Sequence, residues 1–111
     1  ACLVLWARRW VEETGRNTMC ENSIEKRLVT EVERVGGWCL KLPAIHNAGL
    51  PDRLCLFPGG EVVFVELKAF GKKPRKIQTL VHQKLKAMGF RVEVIDTTMG
   101  CKMLALEYDR K

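Results

Sequence analysis

Glu61-Val62-Val63-Phe64-Val65-Glu66-Leu67-Lys68 is the stretch on which the fold turns. Val62 through Val65 are apolar without interruption, which suits a strand covered on both faces. The run then closes on a carboxylate and an ammonium. Side chains alternate along a strand, so Glu66 and Lys68 share one face, about 7 Å apart along it. Charges at the rim of a buried sheet are costly to desolvate unless something compensates them. A bound cation would compensate the carboxylate, whereas an ordinary surface ion pair would not call for the apolar run in front of it.

Upstream, Arg53-Leu54-Cys55-Leu56-Phe57 reads as a second strand, and Pro58-Gly59-Gly60 turns the chain back, which predicts an antiparallel hairpin. Asp52 begins that strand and, allowing for a longer loop or bulge, comes near Glu66 across the ladder. Two neighbouring carboxylates repel unless a divalent metal or a shared proton lies between them. Hard oxygen donors of this kind suit Mg²⁺ or Mn²⁺, which keep several waters and accept phosphate oxygens as further ligands.

The remaining elements follow outward. Asn22 with Glu25 three residues later has the spacing of a capping box, and Leu28, Val32 and Val35 then recur at helical intervals before Gly36-Gly37. Trp38 to Leu42 alternates as a strand, and Pro43 to Pro51 is a loop that includes His46. From Arg75 to Met88 the apolar residues Ile77, Leu80, Val81, Leu85 and Met88 mark an amphipathic helix stopped by Gly89. Phe90 to Asp96 is a further strand, and Met103 to Glu107 an edge strand or short helix. Trp38, Phe64 and Phe90 are expected in the core. The sum is an α/β fold: one small domain with a mixed central sheet flanked by helices, the last pair of strands parallel across a helical crossover.

A chain of 111 residues supports one hydrophobic core. Its 19 Lys and Arg against 13 Asp and Glu give a net charge of +6, which favours anionic partners. Cys2, Cys20, Cys39, Cys55 and Cys101 show no zinc-ligand spacing and read as reduced, mostly buried thiols of a cytoplasmic protein. The apolar run at Leu3 to Ala7 is too short to span a bilayer, so no membrane is implied. Met19 stands just before the first helix signal, so residues 1–18 are expected to be a leader or arm and 19–111 the folded domain.

Taken together, Pro51-Asp52, thirteen intervening residues and Glu66-Leu67-Lys68 match the PD-(D/E)XK nuclease signature, with Glu25 on a preceding helix. Gly49-Leu50-Pro51-Asp52-Arg53, Val65-Glu66-Leu67-Lys68, Gln78 and the Phe90-to-Val94 strand resemble most closely the VRR-Nuc branch, especially its small stand-alone phage and bacterial members. The resemblance spans residues 20–97 and implies a restriction-endonuclease-like core. It implies that Asp52, Glu66 and the backbone carbonyl of Leu67 hold a metal, with Lys68 orienting or deprotonating the attacking water. It further implies that Glu25 holds a second metal or its water, and that Gln78 positions Lys68 or the phosphate.

Lys72, Lys73, Arg75 and Lys76 lie between that strand and the next helix, where contact with a nucleic-acid backbone is expected. The function expected is a Mg²⁺- or Mn²⁺-dependent endonuclease acting as a homodimer on branched, flapped or four-way DNA, with no nucleotide cofactor. The competing expectation is a nucleic-acid-binding module of the same fold that has lost catalysis.

Overall fold

A computed structural model describes residues 4–5, 20–43, 45 and 47–109. His46 and most of the expected leader lie outside the described residues. The elements, in chain order, are α1 (Glu21–Arg34), β1 (Trp38–Lys41), β2 (Arg53–Phe57), β3 (Glu61–Leu67), α2 (Lys76–Ala87), β4 (Arg91–Ile95) and α3 (Thr98–Glu107).

The strands form one sheet in the order β1-β2-β3-β4. β1 and β2 pair antiparallel, as do β2 and β3, whereas β3 and β4 run parallel with α2 between them in the chain. The hairpin register sets Arg53 opposite Val65 and Phe57 opposite Glu61. Gly59 and Gly60 both have positive φ, 89° and 79°, the conformation that lets so short a connection reverse the strand.

One face of the sheet builds the core. Val63, Val65 and Leu67 of β3 and Cys55 and Phe57 of β2 pack there with Ile24, Leu28 and Val32 of α1 and Cys101 and Leu104 of α3. Helical spacing puts those three α1 residues on one stripe. Val4 belongs to the same cluster. Tyr108 stacks on Phe57 with ring centroids 4.3 Å apart. It also accepts a hydrogen bond from Arg91, closing the end of this layer.

Three local expectations are corrected, and the strand-or-helix alternative at Met103 to Glu107 is settled as a helix. Helix α1 starts at Glu21 with Cys20 as its N-cap and no side-chain capping bond, so Asn22 lies inside the first turn. The segment containing Met103 to Glu107 is helical, and α3 begins earlier, where the Thr97 hydroxyl accepts from the Gly100 N–H. Trp38 and Phe90 are exposed, and Phe64, edge-on to Phe90 at 5.6 Å, is only half-buried. In α2 Ile77 and Leu80 are exposed, as is Met88 at its C-cap, while Gln78 and His82 are the buried side chains. The last inversion follows from what lies beneath the helix.

Candidate active site

The side of β3 opposite the core carries Val62, Phe64 and Glu66. Glu66 is only 1% exposed. α2 lies over it, and Gln78 and His82, one turn apart on the same stripe, are the polar groups that meet the carboxylate. The Gln78 amide donates to Glu66 Oε2 at 2.9 Å, and its carbonyl accepts the Arg75 N–H at 2.8 Å. Gln78 therefore ties the start of α2 to the carboxylate in one side chain. Its contact is with Glu66 and the Arg75 backbone.

Lys68 follows the end of β3, where its N–H bonds the Ile95 carbonyl and keeps it aligned with β4. Its ammonium lies 3.4 Å from Glu66 Oε2. Asp52 stands just ahead of β2, and its Oδ2 accepts the Leu67 N–H at 2.9 Å. That bond brings the Asp52 carboxylate to the peptide that joins Glu66 to Leu67. Burial first, and the Asp52 charge second, push the Glu66 carboxyl up to about 7 against the pull of Lys68. A carboxylate in that condition is short of positive charge.

Gly49 helps place Asp52. A Cβ at this position would lie 2.5 Å from Val81 Cγ2 and 2.7 Å from the Ile77 carbonyl, so only glycine lets the loop press against α2. Asp52 and Leu67 line a cleft of about 190 Å³ together with Glu21, Asn22, Glu25 and Lys41. Glu25 is thus on the wall of the same cleft, in the second turn of α1. Its carboxylate is held by Arg53, with both Nε and Nη2 near Oε2 at 3.0 and 2.9 Å, and Lys41 lies 3.9 Å away.

The donor chemistry of the site tests whether it suits a metal ion. Glu66 Oε1 is buried with no hydrogen-bond partner, and buried polar atoms are rarely left so. Asp52, Glu66 and the Leu67 carbonyl are hard oxygen donors from adjoining positions, which fits a divalent cation such as Mg²⁺. Among the described residues no three His, Cys, Asp or Glu side chains form a ready-made cluster. The fit is therefore that of two carboxylates plus backbone and solvent, with Glu25 engaged by Arg53.

The basic segment is exposed. Lys72, Lys73, Arg75 and Lys76 stand at the surface, and the turn before them is anchored where the Gly71 N–H donates to the buried Asp96 carboxylate at 3.1 Å. Lys72 and Lys73 border a surface hollow with Val94 and Asp96.

Known proteins resemble this chain in sequence and in fold. A protein of Acyrthosiphon pisum secondary endosymbiont phage 1 named "Putative nuclease p44" is 46% identical over 77 residues, which are 69% of this chain and 83% of that one. A solved structure described as "VRR_NUC domain" aligns with a TM-score of 0.72 at 29% identity, covering 79% of this chain and 96% of the other. The chain belongs to the VRR-Nuc family of nucleases. No protein-family model matches the sequence.

Within this VRR-Nuc fold three site residues escaped the reading of the sequence. His82 is buried beside Glu66, with Nε2 3.7 Å from Oε1. Its signal was its position four residues after Gln78, which places both on one stripe of α2. Arg53 and Lys41 meet Glu25, and the register signals this by pairing Lys41 with Arg53 on neighbouring strands.

Proposed function

We propose that this VRR-Nuc chain is a divalent-metal-dependent endonuclease that hydrolyses DNA phosphodiesters and selects branched, flapped or four-way structures. The observation that carries the reading is the Glu66 carboxylate. It is buried and raised, has one oxygen unpartnered, and adjoins Asp52, the Leu67 carbonyl and Lys68. Phosphodiester hydrolysis needs an activated water, neutralised phosphate charge and in-line geometry.

Asp52, Glu66 and the Leu67 carbonyl would hold Mg²⁺ or Mn²⁺, which when bound supplies Lewis acidity toward the phosphate. Lys68 would orient the attacking water as the ammonium, or take its proton as the neutral amine, and in the charged form would offset charge on the scissile phosphate. Gln78 holds Glu66 in place and joins it to the N-terminal end of α2. Glu25 supports a second metal or its water once released from Arg53. Lys72, Lys73, Arg75 and Lys76 extend a positive path along which a nucleic-acid backbone would run.

The protein works as a homodimer, which sets two active sites on opposing strands of a junction. No helix of the described residues is long and apolar enough to cross a membrane. Cys39, Cys55 and Cys101 are buried free thiols, which supports work in a reducing cytoplasm.

The test is cleavage of linear, flapped and four-way DNA in Mg²⁺, Mn²⁺ or EDTA by the intact chain and by Asp52→Ala and Lys68→Ala. The expected result is metal-dependent cutting of branched DNA, reduced by roughly 10²- to 10⁴-fold in each variant. Cutting in EDTA, or unchanged rates in both variants, would contradict the mechanism. Binding without cutting by the intact chain would favour a module that has lost catalysis.

A further inference from the structure

Two buried polar atoms among the described residues have no hydrogen-bond partner, Glu66 Oε1 and His82 Nε2. They face each other at 3.7 Å. The other carboxylate oxygen, Oε2, is gripped by the Gln78 amide at 2.9 Å and by the Lys68 ammonium at 3.4 Å. Gln78 and His82 come from one stripe of α2, so the helix meets both oxygens of a single carboxylate with successive turns.

We propose that His82 is a positioning residue for Glu66: its Nε2–H reaches Oε1 and fixes the rotation of the carboxylate as a metal ligand. The inference rests on the metal-nuclease reading given above. The last torsion of a glutamate is broad and roughly two-fold, so contacts confined to Oε2 leave the plane of the group less firmly set than contacts on both oxygens. Each carboxylate oxygen has two lone-pair sites; Gln78 and Lys68 take up those of Oε2, and a single hydrogen bond from His82 leaves one on Oε1 for a cation. At 3.7 Å the pair stands just outside hydrogen-bond distance and, on this proposal, closes to that distance when the carboxylate holds a cation. An imidazole carries at least one N–H, and the tautomer with that N–H on Nε2 satisfies both orphan atoms at once. Loss of a group that orients a metal ligand typically lowers metal affinity by about 10- to 100-fold.

The experiment is calorimetric Mn²⁺ titration of the full chain for the wild type, His82→Leu, His82→Gln, His82→Asn and, as the reference for a lost ligand, Glu66→Gln. The Mn²⁺ dependence of cleavage is measured in parallel. His82→Leu is expected to weaken Mn²⁺ binding by about 10- to 100-fold and to raise the half-saturating Mn²⁺ for cleavage while leaving much of kcat at saturating metal. Recovery of affinity by His82→Gln or His82→Asn, each of which restores a donor, completes the expected pattern. A role in packing alone would not move metal dependence separately from kcat. Should His82→Leu fail to fold, the amide variants decide: affinity as poor as that of Glu66→Gln would overturn the donor role. Wild-type affinity in His82→Leu would overturn the inference and leave the metal site standing. No Mn²⁺ binding by the wild type would overturn both.

Discussion

The two faces of β3 are built to different rules. On one, Val63, Val65 and Leu67 are at most 1% exposed and meet only the apolar interior shared by α1 and α3. On the other, Val62 and Phe64 are half-covered, and the deepest residue is a carboxylate, Glu66, met by an amide, an ammonium and an imidazole. The first arrangement stabilises the fold through burial of apolar surface. The second sacrifices stability to hold a charge where water is scarce. A single strand thus serves packing with its odd positions and chemistry with its even ones.

The largest effect that can break this contrast lies on the packing face. Leu28→Ala removes a fully buried side chain from α1 and is expected to cost about 2–5 kcal/mol in urea unfolding. The molecules that remain folded should cleave at the wild-type rate. If the substitution instead abolished cleavage by fully folded protein, the division of labour between the faces would be wrong.

A smaller effect, of opposite sign, belongs to the other face. The Glu66 carboxyl titrates at about 7 when folded, against a reference of 4.5. Between those values the folded chain holds a proton that the unfolded chain has released. Without metal, stability therefore falls as pH rises from 4.5 through 7. The loss is on the order of 3 kcal/mol. Glu66→Gln should flatten this dependence and make the metal-free protein more stable than wild type at pH about 8, while abolishing cleavage. Urea unfolding in EDTA at both ends of the range checks it. A wild type that grows more stable with rising pH on account of Glu66 would contradict the assignment.

The smallest effect sharpens the boundary of the site. Lys73→Ala and Arg75→Ala each remove an exposed charge. Each should weaken DNA binding at low salt and lower the slope of log affinity against log salt by about 1, with little change in stability. Fluorescence anisotropy over a salt series measures the slope. Unchanged slopes in both variants would remove these residues from the nucleic-acid path.

Much of this was legible beforehand, for reasons particular residues make plain. The uninterrupted Val62 to Val65 run announces a central strand, and the Pro58-Gly59-Gly60 turn sets the hairpin that carries Asp52 toward Leu67. Both signals are local. Helix α2 shows where local reading fails. Its apolar spacing points to Ile77, Leu80 and Met88 as the inner stripe, yet Gln78 and His82 are buried instead. Periodicity assumes an apolar surface below, whereas here the surface contains Glu66, whose desolvated carboxylate demands polar partners. Trp38 was misplaced for a related reason: the β1–β2 part of this face has no described helix packed on it, so a large aromatic side chain stays 61% exposed. The engagement of Glu25 by Arg53 was also hidden, because it joins residues 28 apart in sequence.

The central claim is that the second face of β3 is a metal site, and thermal melting with Mn²⁺ tests it most directly. At pH about 8, excess Mn²⁺ should raise the wild-type melting temperature by on the order of 5 °C or more. It should leave Glu66→Gln and Asp52→Ala almost unmoved. An equal rise in all three proteins, or none in the wild type, would contradict the account.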